Sequence, residues 1–438
     1  MMMRNPFYLG DWQVTPSTNS IQLTGKAKQL EPKAMEVLLH LCQQNGDIVS
    51  SDELLNKCWK NTDIGDNPLH KTITQLRKAL GDKANEPHYI ETIRKRGYRI
   101  IAKLSFPLAD PIPSTKSTWQ GGSPFLGLRA YNPNDTHVFF GRTQSIATLL
   151  ERISSQVNYG RAFCLILGPS GTGKSSLVNA GILPKLLDER GYNGIGVISY
   201  TQIDFADVHK NRLFLDLASA LLDWDINDQP VFEGLSAQTL AEQLELAIDG
   251  VINAIQAALS KASTKLKTPQ LFLFIDRLEV LLSSPIFSSE TRSHFLSVIE
   301  RLAISKAVIV FSACRNDFYP LVVEQPSLMA GKAHGAHYDL TPPNRQELQQ
   351  IIRLPALTAN LTFSNDPQTQ TPLDEILCAD TANNPDALPM LQYTLQELYL
   401  QRSDNNELLH SVYTKLGGIE GAIGKKAEDI FIDLSNEQ

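Results

Sequence analysis

The chain has 438 residues, of which 42% are hydrophobic and 20% are charged, as in folded globular proteins. This length exceeds one ordinary hydrophobic core and predicts two or three domains. The sequence contains neither an apolar run near the ~18 residues of a membrane span nor the apolar core of a signal peptide at its start. We therefore expect a cytoplasmic protein without a membrane partner, associated with the nucleoid if it binds DNA.

The charges are unevenly distributed along the chain. The net charge is −7, yet residues 1–105 carry 15 Lys and Arg against 11 Asp and Glu. Within residues 71–105 the imbalance is sharper, with nine basic residues against three acidic ones. A basic segment on an acidic protein indicates contact with a polyanion.

The basic N-terminal segment contains patterns for three helices. Apolar residues at helical spacing follow Pro32 and a Ser-Ser-Asp cap at 50–52, and they recur over about residues 68–80. The third helix has one apolar face. Its opposite face carries cationic and hydrogen-bonding side chains: Lys71, Thr74, Gln75 and Lys78. Such a face suits the major groove of DNA.

A hairpin is expected directly after these helices. Residues 89–100, YIETIRKRGYRI, predict two short strands around a turn at Gly97. Four cationic side chains of the hairpin are expected to meet phosphates or to reach the minor groove: Arg94, Lys95, Arg96 and Arg99.

In this order of motifs, residues 5–105 resemble an OmpR/PhoB-type winged helix, especially its CadC-like branch. The resemblance implies a recognition helix at 68–80, a wing at 90–100 and binding to double-stranded promoter DNA. A winged helix that makes only protein contacts is the alternative. Residues 106–123 follow the motif and are rich in Pro, Ser, Thr and Gly, so they are expected to form a linker.

A phosphate-binding motif lies beyond the linker. Residues 168–175, GPSGTGKS, follow an apolar strand and fit the pattern GxxxxGK[ST], whose glycines let backbone N–H groups face phosphates at a helix N-terminus. Lys174 is expected to bridge β- and γ-phosphate oxygens, and the Ser175 hydroxyl to ligate Mg²⁺. The predicted nucleotide-binding residues of this segment are Gly168, Ser170, Gly171, Thr172, Gly173, Lys174, Ser175 and Ser176.

Hydrolysis requires a second Mg²⁺ ligand and a group that polarises water. Asp276 ends an apolar run, where the metal-binding acid of such a site belongs, and Arg277 rather than a second acid follows it. Glu279 is the next candidate for the catalytic group, with a solvated helix position as its alternative. Arg315 ends another buried strand, where a cation can sense the γ-phosphate, with a surface ion pair as its alternative.

Short apolar runs alternate with helical patterns after the linker, which predicts βαβ units and a mostly parallel sheet. The runs cover 162–167, 195–200, 271–275 and 307–311. From about residue 341 helical periodicity takes over, and Thr341 is the expected cap of the first of these helices.

Five segments resemble, in order, the novel-STAND branch of signal-transduction ATPases over about residues 123–438: FGRTQS, GPSGTGKSSLVNAGILPKL, FLFIDRLEVLL, ACRNDFYP and ALPMLQYTLQELYLQR. The resemblance implies a switch from an ADP-bound closed monomer to an ATP-bound, often oligomeric form, so ATP/ADP is the expected nucleotide, with Mg²⁺ as the P-loop motif predicts. Slow hydrolysis is expected because the residue after Asp276 is Arg277. The resemblance places Arg142 near adenine and Pro389 of a helical lid against the base. Arg277 departs from the family, in which Gln is common at this position.

These patterns and the two resemblances together imply a multidomain chain. A winged helix-turn-helix domain of α+β type over 1–105 precedes an α/β P-loop NTPase core with a parallel sheet over 124–340. A C-terminal helical lid over 341–415 and the start of a second winged helix over 416–438 follow. We expect the chain to be a piece of a longer protein whose missing C-terminal region reads an unknown signal ligand or protein.

Two functions fit this organisation. The first is an ATP-dependent transcription regulator whose self-association on activation controls promoter occupancy. The second is a STAND-type stress or anti-phage defence sensor whose winged helix is a docking module. A metabolic kinase or transporter ATPase is disfavoured, because no small-molecule transfer site accompanies the P-loop.

Overall fold

The computed structural model describes residues 7–16, 19–23, 26–44, 46–59, 67–83, 87–93, 96–105, 122–208, 212–382, 384 and 387–421. Arg94 and Lys95, the linker up to residue 121, and residues 422–438 of the expected second winged helix lie outside these ranges. The chain divides into two compact units, residues 1–116 and 117–438. Across the described ranges, no helix is both long and apolar enough to cross a membrane.

The first unit combines two antiparallel sheets with three helices. Its elements are β1 Phe7–Leu9, β2 Trp12–Thr15, β3 Ser20–Leu23, β4 Lys26–Gln29, α1 Pro32–Gln43, α2 Ser51–Cys58, α3 Asn67–Leu80, β5 Ile90–Ile93, β6 Gly97–Ile100 and β7 Leu104–Ser105. One sheet has the order β4-β3-β2-β1-β7, and β5 and β6 form the second. This is the winged-helix fold that the sequence predicts, and that prediction is confirmed.

One apolar core joins the three helices to both sheets. The apolar face of α3 that the sequence predicts is buried within it: Leu69, Ile73, Leu76 and Leu80. The helix α2 begins as expected, because the Ser50 side chain accepts a hydrogen bond from the Glu53 N–H at 3.1 Å.

The N-terminal sheet β1–β4 is a feature that the sequence reading missed. It contacts the C-terminal end of α3, where the last carbonyls of a helix have no partner within the helix. Trp12 Nε1 donates to the Leu80 carbonyl at 3.0 Å, and Lys28 Nζ donates to the Ala79 carbonyl at 2.7 Å. A cation at a helix C-terminus is also favoured by the helix dipole. The sheet therefore helps to fix the helix that is expected to enter DNA.

The second unit is built on a parallel five-stranded sheet with the order β14-β8-β13-β12-β9. Its strands are β8 Phe163–Gly168, β9 Ile195–Asp204, β12 Thr268–Asp276, β13 Val308–Arg315 and β14 His337–Asp339, and a short hairpin adds β10 Asp225–Ile226 and β11 Gln229–Pro230. Each of the four apolar runs predicted as a strand forms one, and the strands at the second, third and fourth runs extend several residues beyond the expected limits.

Helices cover both faces of this sheet. They are α4 Thr143–Asn158, α5 Lys174–Ser176, α6 Leu183–Leu186, α7 Leu213–Leu221, α8 Ala237–Leu246, α9 Ile248–Ser260, α10 Leu278–Ser283, α11 Ser289–Ile304, α12 Tyr319–Val323 and α13 Pro326–Met329; a π-helical segment, Leu177–Ile182, joins α5 to α6. Alternate residues of β8 enter different cores, Leu165 and Leu167 on one face and Cys164 and Ile166 on the other. A strand that is buried on both faces has a continuous apolar sequence, so β8 could be predicted from the sequence.

The C-terminal part of the second unit is mainly helical, as expected. It contains α14 Arg345–Thr358, α15 Leu373–Ala382, α16 Leu388–Leu400 and α17 His410–Leu416, and two short parallel strands, β15 Thr362–Phe363 and β16 Glu407–Leu408. These elements share one apolar core, which also includes Phe125. We call this region the lid.

Two local expectations were wrong. The helix α14 is capped by Asn344, not by Thr341: the Asn344 side chain accepts from the N–H groups of Gln346 and Glu347. Gly97 is the first residue of β6 rather than the centre of the turn. With φ at +129°, it lies so close to residue 49 that an added Cβ would stand 1.9 Å from the Val49 carbonyl oxygen.

Candidate nucleotide site and DNA-binding face

A cavity of about 290 Å³ lies at the carboxyl edge of the parallel sheet in the second unit. Its floor is the loop between β8 and α5, residues 170–176. A second wall consists of residues at or just after the ends of β12 and β13: Asp276, Arg277, Glu279 and Arg315. The opposite wall is largely apolar and comes from residues 127–140 and the lid. Ligands of open α/β sheets bind at this edge, which makes the cavity the candidate nucleotide site.

The loop 168–175 has the backbone shape that cradles phosphates. Gly171 and Gly173 adopt positive φ values of 75° and 86°, which residues with a side chain rarely adopt. Successive N–H groups in such a turn form an anion-binding concavity. Gly168 itself is not part of the lining; an added Cβ there would stand 2.6 Å from the Leu340 carbonyl oxygen.

Lys174 lies at the base of the cavity and is folded onto its own loop. Its Nζ donates to the carbonyl oxygens of Gly168 at 2.9 Å and Pro169 at 2.8 Å. Burial lowers the pKa of Lys174, and the carboxylates of Glu279 and Asp276 oppose this shift. An ammonium group that is partly desolvated beside a phosphate-binding loop is suited to pair with an anionic ligand.

Ser175 and Asp276, the predicted metal ligands, are in direct contact: the Ser175 hydroxyl donates to Asp276 Oδ2. Asp276 also accepts from the Arg277 N–H at 2.9 Å. Burial raises the pKa of Asp276, and these two hydrogen bonds oppose the shift. One hydroxyl and one carboxylate, with room for water and phosphate oxygens, fit the few protein ligands that Mg²⁺ usually takes.

Glu279 and Arg315 are brought together beside the loop. The buried Glu279 carboxylate accepts from the Arg315 backbone N–H at 3.1 Å. The Arg315 guanidinium donates to Asp317 at 2.6 Å, whereas its Nε is buried without a hydrogen-bond partner in the described part of the chain. A buried donor without a partner in the cavity wall also fits an anionic ligand.

Arg142 lines the cavity, but its guanidinium is held by carbonyl oxygens. It donates to Thr172 at 2.9 Å and to Thr341 at 3.1 Å, and its Nη1 lies 3.8 Å from Glu347 of α14. Burial lowers the pKa of Arg142, and Glu347 opposes this shift. The residue therefore ties the phosphate-binding loop to the first lid helix.

The lid touches the loop directly through Pro389. An added Cβ on Gly171 would stand 2.6 Å from Pro389 Cγ, so glycine is the residue that permits this approach. Tyr131 provides a second link, which sequence reasoning missed and for which no motif gave a signal. Its N–H donates to Ser176 Oγ at 3.1 Å and its hydroxyl to Gln392 Oε1 at 3.0 Å. Burial raises the pKa of the Tyr131 hydroxyl.

The candidate DNA-binding face lies on α3 of the first unit. The side chains of Lys71, Thr74 and Lys78 are exposed, and Gln75 is half-buried. Thr74 Oγ1 donates to the His70 carbonyl at 2.8 Å, and Gln75 Nε2 donates to Glu31 Oε1 at 3.2 Å. The two lysines are therefore the cations that this face presents to solvent.

The hairpin β5–β6 is fastened to α3 by three hydrogen bonds that the sequence did not reveal. Arg77 Nη2 donates to the Ile90 carbonyl at 2.8 Å and to Thr92 Oγ1 at 2.9 Å. His70 Nδ1 and the Tyr98 hydroxyl are hydrogen-bonded at 2.7 Å. Of the predicted wing cations, Arg96 is exposed, and Arg99 forms an ion pair with Glu91 at 2.6 Å.

A parallel β-sheet that is covered by helices and carries a phosphate-binding loop at its carboxyl edge defines the second unit as a P-loop NTPase. Residues 124–438 match the family model described as Novel STAND NTPase 1, which covers more than half of the chain. The chain therefore belongs to the novel STAND NTPase family, and the resemblance inferred from the sequence is confirmed.

The first unit is similar to DNA-binding domains of transcription regulators. Residues 25–100 match the model described as Transcriptional regulatory protein, C terminal. The chain is 31% identical to the transcriptional activator CadC of Escherichia coli over 125 residues, 25% of this chain and 24% of CadC. It is 38% identical to the transcriptional regulatory protein CutR of Streptomyces coelicolor over 89 residues, 20% of this chain and 39% of CutR. The chain thus spans well under half of these relatives.

Two solved structures that are similar to this chain also match only about a quarter of it. The DNA-binding domain of Escherichia coli CadC is 33% identical, with a TM-score of 0.22, and the match covers 24% of this chain and 99% of that domain. The Klebsiella pneumoniae RstA DNA-binding domain, solved in complex with the RstA box, is 30% identical, with a TM-score of 0.21, and the match covers 22% of this chain and 96% of that domain.

Proposed function

We propose that this chain is an ATP-controlled transcription regulator of the STAND switch type. Its winged helix binds promoter DNA, and the nucleotide state of the P-loop unit sets self-association and thereby promoter occupancy. The observation that carries the proposal is the presence, on one chain, of a DNA-reader fold and a lid-covered P-loop cavity. A nucleotide bound beside a DNA-reader fold serves best as a signal.

The cavity suits ATP or ADP. The loop at 170–176 and Lys174 hold the phosphates, while Ser175 and Asp276 hold Mg²⁺, which supplies charge neutralisation at the phosphates when bound. The apolar wall suits a purine base: it includes Val138, Phe139, Phe140, Leu388 and Pro389. In this arrangement Arg142 keeps the loop in shape, and Pro389 closes the cavity from the lid.

Hydrolysis is slow in this proposal. Glu279 is the group that orients and deprotonates water, and Arg315 is the cation that stabilises charge on the γ-phosphate. Arg277 occupies the place directly after the metal-binding acid, so the carboxylate that usually stands there is missing. A slowly hydrolysing site keeps its nucleotide long enough to act as a switch.

Promoter binding rests on the cations of the winged helix. Lys71 and Lys78 lie on the exposed face of α3, and Arg96 lies on the wing; Arg94, Lys95 and Arg99 extend this set. Lysines and arginines on phosphates supply affinity, and in this proposal Thr74 and Gln75 contact base edges. A single weak winged helix gains avidity of ~10²–10⁴ when several are joined in one assembly. Self-association of the P-loop units on ATP binding is therefore the step that raises occupancy.

The test is a genome-wide crosslinking map of the full-length protein in its own cell, for the wild type and for Lys174→Ala. The wild type is expected to give sharp peaks at promoters. Lys174→Ala should reduce these peaks about tenfold or more, because the lysine that binds phosphate is lost while the winged helix is intact. Lys78→Ala should weaken the same peaks by reducing contact with DNA.

Diffuse signal for the wild type would refute promoter binding and favour the sensor with a docking module. Sharp peaks that Lys174→Ala leaves unchanged would refute nucleotide control but retain the DNA-binding part of the proposal.

A further inference from the structure

The carboxyl edge of the sheet carries an ion pair next to the metal-binding acid. Strands β9 and β12 run parallel, and Asp204 at the end of β9 is in register with Asp276 at the end of β12. The guanidinium of the next residue, Arg277, forms an ion pair with the Asp204 carboxylate. Arg277 lines the nucleotide cavity, whereas Asp204 does not, so the arginine separates the second carboxylate from the cavity.

The backbone of Arg277 is in a conformation that arginine seldom takes. Its φ is 53° and its ψ is 45°, the left-handed region. Such a conformation is unfavourable for a residue with a Cβ, and it persists where the surroundings require it, often at functional sites. It lies between the end of β12 and the start of α10, directly beside Asp276 and two residues before Glu279.

We propose that Arg277 distinguishes a nucleoside triphosphate from a diphosphate. With a diphosphate bound, Arg277 remains paired with Asp204; with a triphosphate bound, it pairs with the terminal phosphate instead. This inference rests on the proposed nucleotide site and adds the residue that reads the nucleotide state.

The charges around the ion pair favour such an exchange. The Arg277 side chain is 50% exposed and the Asp204 side chain 28% exposed, so water screens the pair and it contributes little to stability. A terminal phosphate adds negative charge next to Asp276 and Glu279, and Arg277 is the cation of the strand-end wall that lies beside the metal-binding acid. A guanidinium can hold phosphate oxygens through two parallel hydrogen bonds, and a terminal phosphate carries more negative charge than the one Asp204 carboxylate.

A purely structural role for the pair is the competing explanation. Strands β9 and β12 are already joined by parallel pairing from Thr268–Ile195 to Asp276–Asp204. The strands therefore do not depend on one exposed ion pair at their ends. The two explanations predict different effects of removing Asp204.

The experiment measures the affinities of the full chain for ADP and for a non-hydrolysable ATP analogue, both with Mg²⁺, by isothermal titration calorimetry. Arg277→Ala is expected to weaken binding of the ATP analogue about tenfold and to change ADP binding less than about twofold. Asp204→Asn should strengthen binding of the analogue, because the competing carboxylate is gone. Arg301→Ala, which removes an arginine from an exposed pair with Asp249 outside the cavity lining, is the matched control and should change neither affinity.

A second variant tests whether Arg277→Ala loses affinity only because the chain fails to fold. Arg277→Gly removes the same side chain and relaxes the positive φ, so it is expected to fold and to show the same selective loss as Arg277→Ala. Equal weakening of both nucleotides by the Arg277 variants, or weaker binding of the analogue by Asp204→Asn, would overturn the inference while leaving the nucleotide site in place. A wild-type chain that binds neither nucleotide would overturn the proposed function itself.

Discussion

At Asp276, burial favours the neutral carboxyl group, whereas binding of a metal ion requires the ionised carboxylate. This residue lies at the end of β12, where burial raises the pKa of its carboxyl group above the ordinary 3.8. A group whose pKa is raised in the folded state favours folding below its unfolded pKa. That contribution is lost as the pH rises through the raised value. At neutral pH, without a cation, the ionised carboxylate therefore costs stability.

We expect Asp276→Asn to stabilise the nucleotide-free chain at pH 7. The amide oxygen can still accept from the Arg277 N–H, and the amide N–H can donate to the Ser175 hydroxyl oxygen, which exchanges its role. The neutral amide carries no desolvation penalty for a charge. A gain of about 1 kcal/mol would raise the Tm of the second unit, residues 117–438, by roughly 1–2 °C. Thermal unfolding from pH 3 to 8 should show the difference at neutral pH and its disappearance in acid.

The control for this substitution is Asp249→Asn, which changes a carboxylate whose side chain is 73% exposed. It should leave the Tm of the chain nearly unchanged at every pH. If Asp276→Asn lowered the Tm at pH 7, the carboxylate would be stabilised by its surroundings, contrary to the shift described above. Mg²⁺-dependent nucleotide binding should be lost in Asp276→Asn whatever its Tm.

At the scale of elements, the helix α3, the candidate recognition helix, is held between two sheets. The N-terminal sheet contacts its C-terminal carbonyls through Trp12 and Lys28, and the hairpin β5–β6 is fastened to it by Arg77. The hairpin is also paired with the segment before α2, because the Val49 and Tyr98 backbones exchange hydrogen bonds of 2.9 Å. Gly97 permits this pairing, since its missing Cβ leaves room for the Val49 carbonyl.

Gly97→Ala is expected to destabilise the first unit by about 3 kcal/mol or more, because the new Cβ would overlap the Val49 carbonyl and the positive φ would be strained. The matched control is Gly81→Ala, which also has a positive φ, of 73°, but has nothing within 4 Å of the added Cβ. It should cost about 1 kcal/mol. Urea unfolding of a fragment of residues 1–116 measures both values; similar costs for the two variants would show that the contact with Val49 is unimportant.

At the scale of the whole molecule, the nucleotide cavity draws on distant parts of the chain. Residues 127–140, the P-loop, the ends of β12 and β13, and the lid helix α16 all line it. The lid is linked to the P-loop by contacts that a bound nucleotide would alter, notably Pro389 on Gly171 and Gln392 on Tyr131. A ligand shifts a conformational equilibrium by its difference in affinity for the two states.

We expect the full chain to sediment as a monomer with ADP and Mg²⁺ and as a larger species with a non-hydrolysable ATP analogue and Mg²⁺. The physical reason is that the terminal phosphate changes contacts beneath the lid and favours the form that self-associates. Sedimentation velocity at several protein concentrations measures the effect. Lys174→Ala should remain monomeric with both nucleotides, and equal sedimentation of the wild type in the two states would contradict nucleotide-linked assembly.

Structural features that are encoded by residues close together in the chain could be predicted from the sequence. The apolar strands β8, β12 and β13, the loop at 168–175 and the apolar face of α3 were each identified, because a buried strand, a glycine-rich turn and an amphipathic helix are encoded by local spacing. The fold of both units was predicted correctly for this reason. The N-terminal strands β1–β4 were missed, because their three or four residues carry little periodicity and no motif marks them, whereas the equally short β5 and β6 were identified from the basic segment at 89–100.

The sequence by itself determined that the chain joins a winged helix to a P-loop NTPase, and it nominated Lys174, Ser175 and Asp276 as a phosphate and metal site. Only the tertiary structure decided which distant residues complete that site. Asp204 stands 73 positions from Arg277, and Tyr131 stands 261 positions from Gln392, yet each pair is in contact. Such pairs follow from strand order and helix packing, which place side chains together independently of their separation along the chain.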